Sequence, residues 1–328
     1  MATNATTMDS AVPPKAGPRS FVHRLRDGDE VAHLLTLVFA AGILLLTSGL
    51  VYELWVNSQL SRAKFGWSFF WTQSWDPVFG VFGAAPFIYG TLVTAVVSLV
   101  IAVPLGLAAA IFLAELAPRR LSDSIAFLID LLAAVPSVIY GLLGIFVVVP
   151  LIRTTIGPFL KSTLGFLPFF RGPNYGVGFL TAGIVLAIMV VPFIISVSRE
   201  VLLTVPREQR EAALGLGATR WEATWKVVVP WARTGIMGSI FLALARALGE
   251  TMAVTMVIGN DPKIAASLFA PGYTIAAVIA NEFTEATGNL YLSALIELGL
   301  VLFLMTFILN GLARILSVAT ERGGGHPS

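Results

Sequence analysis

Long apolar runs separated by short polar segments dominate the chain. A helix needs about 20 apolar residues to cross the hydrocarbon core of a bilayer. Six runs reach that length, and no charged residue interrupts residues 84–113 or 177–198. The pattern predicts an all-α integral membrane protein with transmembrane helices at residues 33–55, 86–115, 123–152, 177–198, 234–259 and 290–316.

The remaining segments are weaker. Residues 264–280 are apolar but short, and Pro271 and Gly272 interrupt them. We expect a re-entrant or interfacial element there instead of a seventh span. The sequence thus divides into a tail at residues 1–30 that is disordered at its start, a membrane domain at 31–320, and a disordered tail at 321–328.

Composition supports a membrane protein and excludes several kinds of site. Hydrophobic residues make up 56% of the 328 and charged residues only 12%, against about 25% charged residues in soluble domains. The absence of cysteine excludes disulfides and cysteine metal sites. All three histidines lie near the termini, which argues against a histidine metal site or a Ser-His-Asp triad in the core.

Basic residues fall mostly on one side of the six-span arrangement. If both termini lie in the cytoplasm, the cytoplasmic loops hold most of the lysine and arginine residues. The loop at 199–233 holds more of these basic residues than any other loop. This orientation is our expectation. The opposite loops carry Trp55, Trp67, Trp71 and Trp75, which we interpret as an interfacial belt, with a docking surface for an external partner as the alternative.

The loop at 199–233 has its own pattern. Pro206 precedes a charged, helix-favouring run, and Gly215 and Gly217 interrupt that run. A second short helix is expected from about Thr219, ending at Pro230. The pattern therefore predicts that the loop consists of a helix, a glycine turn and a second helix.

This loop resembles the EAA loop of binding-protein-dependent ABC importer permeases. The positions that match are Glu211, Ala212, Ala213, Gly217 and Pro230, while Val227 and Val229 stand where that family usually has Ile and Leu. The resemblance implies that the loop docks in a groove of an ATPase subunit and receives force from it. A solvated loop that only connects two spans is the alternative.

Three further segments, residues 82–91, 133–141 and 245–260, are similar to the PstC family of phosphate-importer permeases, and the last favours that family over the related PstA family. The resemblance implies a type I ABC importer permease fold in the bacterial plasma (inner) membrane. It also implies a PstA-like sister permease, two PstB-like ATPase subunits and an external PstS-like phosphate-binding protein. This chain has no Gly-x-x-x-x-Gly-Lys-Ser/Thr loop, so ATP and Mg belong to the ATPase. We expect no catalytic residue, cofactor, metal or nucleic acid on this chain.

Two charges inside the fifth run are the main candidates for substrate chemistry. Arg246 and Glu250 are four residues apart and would share one face of a helix. They could form an ion pair that makes burial tolerable. Arg246 could also donate hydrogen bonds to phosphate on its route, with Glu250 holding the guanidinium or gating release. The two interpretations are compatible.

Four polar residues could line the same path, namely Ser137, Tyr140, Thr251 and Thr255. For the first two, the alternative is a packing kink at Pro136 with Gly141 and Gly144 in close contact with a neighbouring helix. For the threonines, it is a hydrogen bond to their own backbone.

Two other functions are open to such a chain. It could be a permease for another oxyanion. It could also be an ion-coupled secondary transporter in which Glu250, Asp130 and Glu297 bind protons or sodium, although no clear internal repeat supports that mechanism.

Overall fold

The computed structural model describes residues 29–323, with side chains over residues 31–315. The expected tails are residues 1–30 and 321–328. Of these, residues 1–28 and 324–328 lie outside the described residues, whereas residues 29–30 and 321–323 belong to helices. The chain divides into two units, residues 1–53 and 54–328. In the first unit the described residues form the start of one apolar helix, and most of its side chains are exposed. An exposed helix that is apolar on every face suits contact with lipid.

The described residues are mostly helical. In chain order the α-helices are α1 Asp29–Asn57, α2 Gln59–Phe65, α3 Ala85–Ile111, α4 Arg119–Ala133, α5 Ser137–Leu143, α6 Val149–Leu151, α7 Gly157–Leu164, α8 Phe179–Leu203, α9 Arg207–Gly215, α10 Arg220–Ala223, α11 Val229–Gly249, α12 Met252–Val257, α13 Ile275–Glu282 and α14 Asn289–Gly323. Short π-helical turns at Phe112–Leu116, Gly144–Val148, Ile152–Ile156 and Thr224–Val228 extend or join them. Two 3-10 turns complete the helical elements, at Gly66–Phe70 and Pro168–Phe170.

Within residues 29–323, six helical stretches are long and apolar enough to cross a membrane, which confirms the expected number. They are Val31–Asn57, Ala85–Leu116, Ser137–Leu164, Phe179–Leu203, Arg220–Gly249 and Asn289–Ile315. In the second unit, α3, α8 and α14 begin at one end of the bundle, which we call the distal end. The loop helix α9 follows the end of α8, at the opposite or proximal end.

Helix α8 forms the centre of the second unit. Its fully buried side chains, among them Phe179, Leu186 and Met189, belong to a core to which α3, α11 and α12 also contribute. A hydrogen bond of 2.7 Å between the buried hydroxyls of Ser198 and Ser239 joins α8 to α11. Polar pairs of this kind satisfy side chains that the membrane would leave without a partner.

The third span starts later than the hydropathy pattern indicates. We expected one helix over residues 123–152, but α4 ends at Ala133 and a new helix begins at Ser137. Pro136 separates them because it lacks an N–H and disfavours helical backbone in the residue before it. The spanning helix is therefore Ser137–Leu164, and Asp130 lies on the separate helix α4.

The fifth span is also divided differently. We expected a short helix to end at Pro230, but helix continues through that residue, which occupies the first turn of α11 after the π-helical turn Thr224–Val228. The span stops at Gly249, and Glu250 has extended backbone with ψ 128°. The expected helix over residues 234–259 is thus two helices, α11 and α12.

Residues 264–280 do not form a spanning helix. Extended backbone leads into α13, whose Thr274 hydroxyl caps it by accepting from the Ala277 N–H. Before the extended part, in a turn, the carbonyls of Ala270 and Leu268 accept hydrogen bonds from the first N–H groups of α8, at Phe179 and Leu180. Irregular backbone within a membrane protein is stable where protein satisfies it in this way.

Candidate functional site

The guanidinium of Arg246 lies in the interior of the bundle, in the last turn of α11. Its Cζ is 6.0 Å from the ring centroid of Phe193, which lies near the middle of α8. The ring of Tyr140 on α5 is close enough to interact with it electrostatically. The Nε atom is buried and has no hydrogen-bond partner within the described residues. A donor group at mid-depth without an acceptor is chemically suited to an anion.

Glu250 does not pair with Arg246 in this structure. No nitrogen–oxygen contact within 4.0 Å joins the two side chains among the described ion pairs. The helix ends between them, so the shared face that the sequence predicts does not form. Instead, Glu250 Oε1 accepts from the backbone N–H of Ala253 at 3.2 Å and caps the start of α12.

The other candidate path residues have varied surroundings. The Tyr140 hydroxyl donates to the carbonyl of Leu132 at 2.7 Å and fastens α5 to the end of α4. Thr251 and Thr255 donate to the backbone carbonyls of Gly249 and Thr251, as the structural alternative expects. Ser137 is half-buried at the first position of α5.

A close helix contact holds α5 against α12. A Cβ atom added to Gly141 would lie 2.4 Å from Met256 Sδ and 3.2 Å from Ala253 Cα. Gly144, one turn further on, faces Val257 and Val185 in the same way. Only glycine permits this approach, so Gly141 and Gly144 form a small-residue contact after the Pro136 break.

The proximal loop projects from the bundle. No residue of α9 is buried, and Glu211 and Ala212 are exposed. Gly217 follows with φ +88°, a backbone conformation that glycine adopts without strain, and lets the chain turn into α10. Leu216 is 90% exposed at this turn. Together with Ala213 and other loop residues it lines a shallow groove of about 500 Å³.

Sequence reasoning missed the residue that anchors this loop. Arg210, next to Glu211, forms a bidentate pair with Glu115 at the end of the second span, with Nη2 2.7 Å from Oε1. The same guanidinium donates to the carbonyls of Leu202 and Val205 at the end of α8. The sequence shows Glu115 at the end of an apolar run and Arg210 in a charged loop, but it does not show that they pair, because their contact depends on tertiary structure.

A second set of contacts fastens α4 to α8. Arg199 donates to the Ser122 hydroxyl and to Asp123 Oδ1, at 3.1 and 3.0 Å. Further along, Asp130 accepts from the Ser196 hydroxyl at 2.7 Å. Asp130 therefore has a protein partner, which sequence analysis could not name.

The tryptophans at the distal end divide into two groups. Trp67 and Trp71 are exposed. Trp75 is half-buried, and its Nε1 donates to Glu282 at 2.8 Å. Beside it, burial raises the pKa of Tyr273 to about 12, so this hydroxyl stays protonated and accepts from the Asn281 amide.

The chain is similar to known transport proteins. Residues 102–322 match the family described as binding-protein-dependent transport system inner membrane component. A phosphate transport system permease protein PstC from Mesorhizobium japonicum is 47% identical over 93% of this chain and 94% of its own length. The protein of that name from Xylella fastidiosa is 48% identical over 89% of this chain and 91% of its own length.

Solved structures share the fold at low identity. A chain of a bacterial alginate ABC transporter aligns with a TM-score of 0.56 at 15% identity, covering 92% of this chain and 97% of that one. A chain of the MetNI methionine ABC transporter aligns with a TM-score of 0.53 at 17% identity, over 71% and 94%. Six apolar helices and the family match make this a multi-pass protein of the inner membrane. The chain belongs to the family of binding-protein-dependent transport system inner membrane components, the permease subunits of ABC importers.

Proposed function

We propose that this chain is the membrane permease subunit of an ATP-driven phosphate importer and forms half of the translocation path. The observation that carries the proposal is the position of Arg246. Its buried Nε has no hydrogen-bond partner in the part of the chain that the structure describes, and its helix is continuous with the loop that bears Glu211. Planar guanidinium donors match the oxygens of phosphate. The PstC relatives, named as phosphate permeases, support the same substrate.

The partners follow from the same proposal. The exposed helix α9 docks in a groove of a PstB-like ATPase subunit, which holds ATP and Mg, while this chain binds no cofactor. A PstA-like sister permease completes the path, a second PstB-like subunit serves it, and a PstS-like binding protein delivers phosphate at the distal end. The proximal end then faces the cytoplasm, and both termini lie there, as the positive-inside pattern favours.

Uptake of phosphate by the reconstituted complex tests the role of Arg246. We expect Arg246→Gln to abolish ATP-dependent uptake and Arg246→Lys to retain a small fraction, because lysine keeps the charge but loses the planar fork. ATPase co-purification should be unchanged in both. Arg153→Gln, at an exposed position of the third span, is the control and should transport normally.

Two results would count against the proposal. Normal phosphate uptake in Arg246→Gln would show that Arg246 does not contact phosphate on the translocation path. Uptake of sulfate in preference to phosphate, or uptake driven by an ion gradient without ATP, would replace the proposed substrate or energy source.

A further inference from the structure

Glu297 is a buried acid to which the proposed transport path gives no role. It lies on α14 and is only 3% exposed. Its Oε2 atom has no hydrogen-bond partner within the described residues. A carboxyl group inside a membrane span is energetically costly and usually serves a function. An Oε2 atom to which the described residues make no hydrogen bond points to a partner outside this chain.

Polar contacts fix the helix that faces Glu297. The N–H of Ser61 on α2 donates to the Ser293 hydroxyl at 3.1 Å, and that hydroxyl donates to the Asn57 carbonyl at 2.9 Å. Ser293 lies one turn before Glu297 on α14. The Ser61 hydroxyl lies near the Glu297 carboxyl and interacts with it, but within the described residues it makes no hydrogen bond of ordinary length and angle. Two polar groups that lack such a hydrogen bond therefore lie along the seam between α2 and α14.

Glu297 lines a cavity of about 320 Å³ at the distal end. Apart from Glu297, its polar lining is Arg62, and its walls are otherwise apolar, with Trp67 and Phe70 on one side and Leu304 on α14. The volume is at the lower end of the range for small-molecule sites. The cavity thus combines one acid, one base and an aromatic and aliphatic wall.

Arg62 is held in place at the polar end of this cavity. Its guanidinium lies 3.6 Å from the ring centroid of Trp55, and its Nε donates to the Ser58 hydroxyl at 2.9 Å. Its Nη2 donates to the Trp55 carbonyl. No ion pair within 4.0 Å joins it to Glu297 among the described residues. The acid and the base therefore interact electrostatically within one cavity but make no direct contact.

We propose that this cavity binds the headgroup of a phospholipid that carries a primary ammonium group. The ammonium donates to Glu297, the phosphate accepts from Arg62, and the acyl chains follow Leu304 and the aromatic wall. Tryptophan at this end of the spans is typical of the headgroup region. Glu297 is about 12 Å along α14 from Asn289, so the bound headgroup lies deeper in the bilayer than the headgroups of neighbouring lipids. At that depth a headgroup is stable only if its charges pair with charges of the protein.

Lipid choice by the unmodified complex tests this proposal without any variant. Phosphatidylcholine has the same charges as phosphatidylethanolamine but no N–H donor on its headgroup. Native mass spectrometry of the complex in equal mixtures of the two, with matched acyl chains, should show about a tenfold preference for phosphatidylethanolamine, the size expected of one hydrogen bond to a charged group. Equal retention of both lipids would overturn the proposal.

Variants then locate the site. Glu297→Gln should remove most of the preference, whereas Glu285→Gln, an exposed acid at the same end, should leave it unchanged. Trp67→Ala should weaken retention of both lipids, and Trp71→Ala, equally exposed but outside the cavity, should not. A preference that survives Glu297→Gln, or a complex that retains no lipid because a partner subunit fills the cavity, would contradict the assignment. None of these readouts depends on phosphate transport.

Discussion

Arg210 Nη2 and Glu115 Oε1 lie 2.7 Å apart and join the exposed loop helix α9 to the end of the second span. Their side chains are only 21% and 9% exposed, although α9 has no buried residue. The loop helix is therefore exposed along its length while the Arg210 side chain links it to the second span.

Removing this anchor should destabilise the protein and weaken coupling. We expect Arg210→Ala to lower the free energy of unfolding by about 3 kcal/mol, because Glu115 is left largely buried and unpaired. Phosphate uptake should fall while some ATPase remains bound. Thermal unfolding in detergent and uptake by the reconstituted complex measure the two effects.

The control for Arg210 is an exposed pair in the same loop. Lys226 and Glu222 form an i,i+4 ion pair with side chains 73% and 43% exposed. Lys226→Ala should change stability by about 0.5 kcal/mol or less. Equal losses in Arg210→Ala and Lys226→Ala would show that burial of the anchor has no special effect.

The turn after α9 should tolerate alanine at one glycine and not at the other. Gly215 and Gly217 both have open space where a Cβ would lie, but only Gly217 has positive φ. We expect Gly217→Ala to cost about 1 kcal/mol and reduce ATPase co-purification, because the left-handed conformation is strained for alanine. Gly215→Ala should be neutral or slightly stabilising. Identical behaviour of the two variants would rule out the turn geometry as the reason for glycine.

Glu211 should matter for coupling and not for folding. It is exposed and makes no ion pair within the described part of the chain. Glu211→Lys should leave the thermal unfolding temperature within a degree or two and permit assembly, yet uncouple ATP hydrolysis from uptake. Glu211→Gln, which keeps the shape, should give a smaller loss. A marked fall in the unfolding temperature would instead indicate a structural role.

The contact between α5 and α12 can be tested by a compensating pair. Gly141→Ala should destabilise the protein by about 1–3 kcal/mol, since the new methyl group overlaps Met256. Shortening that side chain in Gly141→Ala with Met256→Ala should recover part of the loss. No recovery in the double variant would mean that the backbone at Ala253 is the limiting contact.

Glu250 should act through its hydrogen bond and not through its charge. Glu250→Gln keeps an oxygen that can accept from Ala253 N–H, so most uptake should remain. Glu250→Ala removes the cap and should cost about 1 kcal/mol. Loss of uptake in Glu250→Gln with unchanged stability would restore an electrostatic role for this carboxylate.

The number of spans and the proximal loop could be predicted because both follow from local pattern. Length and hydropathy identify each apolar run, and the loop's turn requires a glycine at a fixed place. The shared helix face of Arg246 and Glu250 was predicted wrongly because helix periodicity assumes an unbroken helix. The sequence from Arg246 to Val257 contains no proline, so the strongest local signal of a helix break is absent at Glu250.

Long-range pairs were also beyond reach of the sequence. Glu115 and Arg210 are separated by 95 residues, and either one alone resembles an ordinary charge at the end of a span. Pro136 was recognised as a possible kink, but the sequence could not show that it separates two helices with different neighbours.

The interruption at Glu250 divides the fifth span into segments with different attachments. The segment below it is covalently continuous with the proximal loop and is bonded to α8 through Ser239, whereas the segment above it is wedged against α5. A displacement imposed on the loop is therefore transmitted as far as Arg246, and α12 can stay with α5. We expect Arg246 to be the last charged group of this span that moves with the loop, so that each transport cycle displaces its guanidinium and leaves the contact between α12 and α5 in place.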